Sequence, residues 1–558
     1  MKIDEVTRSV ILNNLQWITE EMGEYLARAA FSTNIKIRRD CSCALYTANG
    51  DMLAQGTFVP VHLGIMAQTL KALLKIHPAE TLKEGDALIH NDPYMYGSHL
   101  FDVMVFKPIF YQGRLFAFTG ALAHQLDMGG SPRAFINETI HEEGLIIPGV
   151  FLAKEGVVQE DILQFITANV RTKYEVRGDL LSELAANNRG ETRLKALAEK
   201  YGVEALTAYF ESILDYSEKS MREAIRVLPD CEEEFEDYLE TDGLLDMMIK
   251  VKAKVKIEGS DIYVDFEGSS PPVPHGNNNP WSLTHSGTYF AIKAVLGNDV
   301  PTNAGAYRAI HLIRPKTPNF LDAPYPHAVG GCTTVPPQRI VDVIIGALSN
   351  IVPKQCCACN GQWAGGIYGG IDPKTGRNFV YNESFGCGLG AKYNDDGANG
   401  HHSHMSNTAN APTEMIEMEH PIRVLQYSLV QDSGGAGEFR GGLGLLREVE
   451  LLTETNVSMV ADRDKIKPYG LFGGKGGEPN VHKGRFPDGS EHTIAAEKVP
   501  AGTITVQRTS GGGGWGDPRK RDHAKIEWDV LNGYISIEAA KRDYGVTIDP
   551  ETMKIVAE

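Results

Sequence analysis

Long apolar runs are missing from this 558-residue chain: no stretch approaches the roughly 18 to 20 uninterrupted apolar residues that a membrane-spanning helix requires. The opening Met1-Lys-Ile-Asp-Glu-Val-Thr7 is charged from the start and lacks an apolar core followed by small residues, so it does not read as a secretory signal. Basic charge is also scarce. The formal net charge is −18 and no Lys/Arg-rich block offsets it, which argues against nucleic acid and anionic membrane as partners. Together these absences predict a cytoplasmic protein. The eight cysteines are too few and too bunched for a disulfide framework in so long a chain and read as reduced thiols. Nucleotide motifs are absent as well: the closest run to a phosphate cradle, Gly470-Leu-Phe-Gly-Gly-Lys-Gly-Gly477, lacks the spacing and the hydroxyl, and no Gly-x-Gly-x-x-Gly leads from a strand into a helix. No Gly-x-Ser-x-Gly elbow favours a serine nucleophile, although a Ser-His-Asp triad stays open.

What is present predicts a multi-domain, mixed α/β (α+β) chain, since 558 residues exceed one hydrophobic core. Residues 1–155 read as a mixed α/β region built from hairpins. Ile11, Leu15, Ile18, Met22, Leu26 and Ala29 mark an opening amphipathic helix, and Asn49-Gly50 marks a hairpin turn. Residues 156–245 read as a helical insertion with apolar positions at helical spacing, in which the acidic run Asp230 to Asp237 is expected to be a solvated helix face. Residues 246–354 are again mixed, with a two-faced hairpin from Lys250 to Phe266 and helices over Tyr289–Leu296 and Ile340–Leu348. Residues 355–518 form a Gly-rich, β-containing part that reads as many tight turns between short strands. Two short amphipathic helices, the second capped at Gly545, occupy residues 519–558.

The chemistry concentrates at His90-Asn-Asp-Pro-Tyr-Met-Tyr-Gly-Ser-His-Leu-Phe-Asp102 and at His124. Two β-rich apolar runs separate Asp102 from His124 and are joined at Gln112-Gly113, a hairpin signal. A tight turn there sets Asp102 and His124 opposite one another to within one residue, with Cβ atoms roughly 4.5 to 8 Å apart. His99, just after Gly97-Ser98, is placed to swing back over the same spot. Two imidazoles and a carboxylate suit a divalent cation, zinc or manganese, with a coordination position left open for water or substrate. The bland alternative is a pair of hydrogen-bonded histidines near a strand end.

Three further groups carry weaker signals. Cys356-x-x-Cys359 has zinc-site spacing without a second pair, and Cys332 in a Gly-rich turn reads as a buried thiol more than as a nucleophile. In His401-His-Ser-His404, His402 and His404 share a face and read as substrate-binding or hydrogen-bonding groups more than as ligands.

Taken in order, Arg38-Arg-Asp-Cys-Ser-Cys-Ala-Leu45, Pro60-Val-His-Leu-Gly64, Asn91-Asp-Pro-Tyr94, Gly97-Ser-His-Leu-Phe-Asp102, Ala123-His124 with Asp127-Met-Gly-Gly130, Gln338-Arg-Ile-Val-Asp342, His404-Met-Ser-Asn-Thr408 and Gly511-Gly-Gly-Gly-Trp-Gly-Asp-Pro518 resemble the hydantoinase B/oxoprolinase family over nearly the whole chain. The resemblance implies a B-type subunit of an ATP-dependent hydrolase of cyclic amides (hydantoin, N-methylhydantoin, 5-oxoproline or a lactam). A hydantoinase A-type partner would bind ATP and magnesium, in an (αβ)2 heterotetramer. It also implies His99, Asp102 and His124 as metal ligands, and Asp127 and His404 as general base or orienting groups. Related subunits of acetone and acetophenone carboxylases make ketone carboxylation the second reading, and a non-catalytic scaffold that channels the partner's product is the third. Two departures from the family's usual pattern, Gly331-Cys-Thr-Thr-Val-Pro-Pro337 and Gln125-Leu126 after His124, bear on the substrate pocket.

Overall fold

The structure, a computed structural model, describes residues 3–131, 136–240, 247–460 and 462–557. The fold is mixed α/β, with several separate sheets, and the chain divides into two compact units. The first comprises residues 1–232, 253–340 and 407–409; the second comprises 233–252, 341–406 and 410–558.

The first unit is built on an antiparallel sheet of seven strands: β1 (Cys41–Thr47), β2 (Met52–Gln55), β3 (Ala87–His90), β4 (Asp102–Tyr111), β5 (Arg114–His124), β6 (Val150–Lys154) and β7 (Val157–Val158), in the order β2-β1-β5-β4-β3-β6-β7. Every residue of β1 is buried, so this strand is covered on both faces. Cys41, Cys43 and Leu45 of β1, with Ala117, Ala121 and Ala123 of β5, pack on three helices, Glu5–Ala29, Lys173–Tyr201 and Val203–Arg226. The periodic residues Ile11, Leu15, Ile18, Met22 and Leu26 are the buried stripe of the first of these helices. Gly202, with φ of 78°, breaks the latter two apart.

The β4–β5 hairpin positions the site. Its turn residues Gln112 and Gly113 both have positive φ (51° and 78°), as the twist of a two-residue hairpin requires. Tyr111 faces Arg114 and Phe110 faces Leu115, but Ile109 then faces Ala117, so Phe116 is an unpaired bulge residue. Without that extra residue Asp102 would face Ala123. With it, Asp102 faces His124, and the two side chains emerge on the same face of the sheet.

The acidic run is corrected by the structure: Cys231–Glu240 is a strand, β8, and the preceding helix ends at Arg226. Alternating burial and ion pairs to the lysines of β9 (Met248–Glu258), Glu232 with Lys254 and Glu234 with Lys252, give the acidic side chains opposite charges to face, which a lone helix would not. β9 pairs in turn with β10 (Asp261–Asp265), the two-faced hairpin expected from the alternation, and β10 pairs in parallel with β11 (Ile310–Ile313). The helices expected over Tyr289–Leu296 and Ile340–Leu348 start earlier, at Trp281 and Val335.

The second unit holds a four-stranded and a five-stranded sheet around Tyr368, Tyr381, Ile422, Val449, Leu451 and Met459. Gly473 (φ 99°) and Gly516 (φ 73°) hold the turn conformation expected of its glycine runs, but most of the run glycines do not. Gly386, Gly388, Gly434, Gly441, Gly442 and Gly511 to Gly514 are all absent from the positive-φ glycines. Their role is close approach of backbones. A Cβ on Gly388 would lie 1.9 Å from the Gly442 oxygen, on Gly441 1.9 Å from the Gly512 oxygen and on Gly512 2.0 Å from the Leu389 oxygen. The same segments bond one another: the Gly442 N–H donates to the Leu389 carbonyl (2.8 Å), the Gly512 N–H to the Gly442 carbonyl (3.0 Å) and the Gly435 N–H to the Gly512 carbonyl (2.8 Å).

Burial lowers His420, beside Phe379 and Tyr381, to about 4. A ring held below its ordinary value takes its proton in the unfolded chain first. Its contribution is therefore full above about pH 6.5 and is lost as pH falls toward 4, on the order of 1 to 3 kcal/mol. Denaturant titrations are expected to show a larger loss of stability between pH 6.5 and 4.5 in the wild type than in His420→Leu; equal losses would count against a neutral buried ring.

Candidate metal centre

Asp102 opens β4 and His124 closes β5 on the sheet face away from the three helices. His99 is delivered by the bend before β4. Gly97 bonds back to the Asp92 carbonyl at a point where a Cβ would lie 2.7 Å from that oxygen, and the Asp102 N–H caps the His99 carbonyl (3.2 Å). One ligand-type atom from each of His99, Asp102 and His124 lies within 4.8 Å of the others.

The hydrogen bonds set what these atoms offer. His99 Nδ1 lies 3.1 Å from the Gly330 carbonyl, an acceptor only, so the ring hydrogen sits on Nδ1 and Nε2 presents a lone pair. That Nε2 is buried, makes no hydrogen bond and lies 3.4 Å from Asp102 Oδ1. Two lone-pair atoms so placed repel unless a cation or a second ring proton sits between them. Ser98 Oγ donates to Asp102 Oδ2 (2.5 Å), and His62 Nε2 lies 3.9 Å from the same oxygen.

Burial opposes charge on both partners, but each overcomes it for the other: His99 is raised and Asp102 is held well below the carboxylate range. Burial, then the neighbouring His99, lowers His124 to about 3, and burial also lowers His62, so both rings are neutral. The residues fit a divalent cation that displaces the second ring proton of His99: one carboxylate, and an Nε2 that Asp102 holds toward a positive charge, whether proton or metal. His124 is the less prepared of the two predicted rings, because Asn34 Nδ2 already faces its Nδ1 (3.1 Å) while bonding its carbonyl (2.8 Å).

Asp127, expected as a base or orienting group, has its carboxylate taken by Arg171 (2.6 Å) and the Gly129 N–H (3.0 Å). It shapes the loop after His124. His404 belongs to the second unit, where its Nε2 lies 3.4 Å from Asp342 Oδ1. Asp40 and His62 lie outside the hairpin that announces the site, yet their protonation is coupled to that of Asp102 and its histidines. His62 is buried and steered by Ser42 Oγ (2.8 Å), and the part-buried Asp40 has its carboxyl raised chiefly by burial. In the sequence both residues are visible only as members of a family pattern.

A second group with ligand-type atoms, Asp237, Asp342 and Cys359, lies in the second unit. Its cation is already there: Arg463 Nη2 reaches Asp237 (2.6 Å), Asp342 (3.2 Å) and Cys359 Sγ (3.0 Å). Of the Cys356-x-x-Cys359 pair, Cys359 is thus engaged by Arg463, and burial pushes Cys356 and Cys357 up to about 12 and 11. Cys332 is likewise buried, with its thiol pushed well above the ordinary range by burial.

A multi-sheet α/β chain with a largely buried, unevenly prepared His-Asp-His group is the class of protein that the fold and site define. The chain belongs to the hydantoinase B/oxoprolinase family, whose pattern matches residues 4–518. An uncharacterised protein of Methanocaldococcus jannaschii is 38% identical over 98% of this chain and 96% of its own length. The B component of a putative D-/L-hydantoinase from a Pseudomonas species is 32% identical over 98% and 96%. Among solved structures, the ATP-dependent caprolactamase of Pseudomonas jessenii superposes with a TM-score of 0.88 at 29% identity, covering 99% of this chain and 98% of that one. An acetone carboxylase in its nucleotide-free state superposes with a TM-score of 0.90 over 100% and 81% at 18% identity, a likeness of fold. Among the described residues no helix is long and apolar enough to cross a membrane.

Proposed function

We propose that this chain is the metal-bearing B-type subunit of an ATP-dependent hydrolase that opens cyclic amides, with ATP bound by a separate A-type subunit. The observation that carries the reading is the Nε2 of His99 facing Asp102 Oδ1 with no hydrogen bond of its own, in a chain related to a hydantoinase component and a caprolactamase. A zinc or manganese ion bound there would supply Lewis acidity. The protein's own residues do the rest: Gly330 fixes the His99 tautomer, Ser98 holds the second oxygen of Asp102 with His62 lying 3.9 Å from it, and the buried sheet face restricts water. Ring opening needs the carbonyl activated, and the absence of a phosphate-binding loop in this sequence assigns that step to the partner.

Ketone carboxylation is the second reading, supported by the fold shared with acetone carboxylase. The test is an assay of the complex reconstituted with its A-type subunit, with ATP, against hydantoin, 5-oxoproline, caprolactam, acetone and acetophenone, with and without bicarbonate. Turnover of a cyclic amide that is indifferent to bicarbonate is expected; turnover that requires bicarbonate would replace the hydrolase reading by the carboxylase. Calorimetry of the isolated chain with magnesium-ATP is expected to show no binding in the micromolar range, and such binding would end the proposed division of labour.

A further inference from the structure

Glu143 is a buried carboxyl that the proposed function leaves unused. It is 3% exposed and ends the short helix Ile140–Glu143, whose start is fixed by the reciprocal capping of Thr139 and Glu142. Its Oε1 accepts the Gly330 N–H at 2.5 Å, while Oε2 is buried with no partner. Burial raises this carboxyl, which marks it as a group kept out of water at a cost.

The stretch around Gly330 is held from several sides. Thr139 bridges to His327, the Ala328 N–H donates to the Glu138 carbonyl, the Asn278 amide donates to the Ala328 carbonyl and the Gly331 N–H donates to the Gly276 carbonyl. Gly330 is the residue of this stretch that touches the metal centre, since its carbonyl takes the Nδ1 hydrogen of His99. Both ends of one residue are thereby in use: the N–H is held by Glu143 and the C=O holds His99.

We infer that Glu143 is a positioning residue for the His99–Asp102–His124 centre, acting through Gly330 to keep Nε2 of His99 turned toward Asp102. The inference rests on the proposed reading of that centre as a metal site. What it requires of residue 143 is an acceptor at the place of Oε1, not a charge, and this separates it from a ligand or proton-transfer role.

The test is titration of Zn2+ and Co2+ into the chelator-stripped full chain and its Glu143→Ala and Glu143→Gln variants, with the visible spectrum of bound Co2+ and the unfolding midpoint recorded. Loss of an outer partner of a metal-ligating histidine costs about 10- to 100-fold in affinity. Because Gly330, the partner of His99 itself, stays in the chain, the lower end of that range, about 10-fold, is expected in Glu143→Ala together with a changed Co2+ spectrum, whereas Glu143→Gln retains the acceptor and should bind as the wild type does. Glu143→Leu, which fills the same space, serves if the alanine variant does not fold. Unchanged affinity and spectrum in the alanine or leucine variant, with only the midpoint lowered, would reduce Glu143 to a structural residue and overturn the inference. A glutamine variant as weak as the alanine one would overturn it too. Failure of the wild type to bind either ion would remove the metal reading itself, a result visible before any variant is compared.

Discussion

Asp102→Ala is expected to fold and still assemble with its partner, yet to lose most of its metal and at least about 100-fold in turnover, the upper range for loss of even an outer-sphere group. Folding should survive because the hairpin carries its own core: Val103, Met104, Val105 and Phe106 of β4, with Ala117, Phe118, Ala121 and Leu122 of β5, are 0% exposed. Metal retention should fail because Asp102 is the one carboxylate of the group and faces Nε2 of His99 directly. Elemental analysis, circular dichroism and an assay of the reconstituted complex read the three quantities. Wild-type metal content together with wild-type activity would refute the centre; a variant that keeps its metal but loses activity would move Asp102 from ligand to another role.

Gly512→Ala is the substitution expected to damage stability most. The added methyl would lie 2.0 Å from the Leu389 carbonyl oxygen and 2.2 Å from its carbon, backbone atoms that no rotamer change can move aside. Spreading the segments would break the Gly512 N–H bond to Gly442 and the Gly435 N–H bond to Gly512 together. A loss of about 3 kcal/mol or more is expected, at the upper end of overpacking effects. Gly376→Ala is the control: its φ is 68°, so alanine there is strained, but its Cβ would meet nothing within 4 Å, and about 1 kcal/mol is expected. Chemical denaturation compares the two, and equal effects would mean that the glycine runs serve backbone conformation and not close packing.

The contrast shows where the sequence is readable. Elements specified by neighbours in the chain are legible: the first helix from its apolar stripe, the hairpin at Asn49-Gly50, the Lys250–Phe266 alternation and the approach of Asp102 to His124. Elements specified by distant partners are not. The acidic run from Asp230 to Asp237 looks helical beside the helices that precede it, and only the lysines of β9 across the ladder explain it as a strand. Glycine runs advertise turns by composition, but nothing local says that another backbone will lie against them. In the same way Asp40, His62, Glu143 and Gly330 come from four separate parts of the chain, and their meeting near His99 and Asp102 leaves no spacing to detect.

The unpaired Phe116 has a consequence for how this hairpin tolerates change. It lies eight residues from His124, about 26 Å along an extended strand, yet it decides on which side of the sheet that histidine emerges. The arms of the hairpin therefore count by parity: a lineage that gains or drops one residue between Phe116 and His124 turns the imidazole to the opposite face while leaving both strands paired. Length variation that keeps Tyr111 facing Arg114 is harmless to the site, so insertions among relatives should gather at Gln112-Gly113, and a graft of this centre into another sheet must carry the bulge with it.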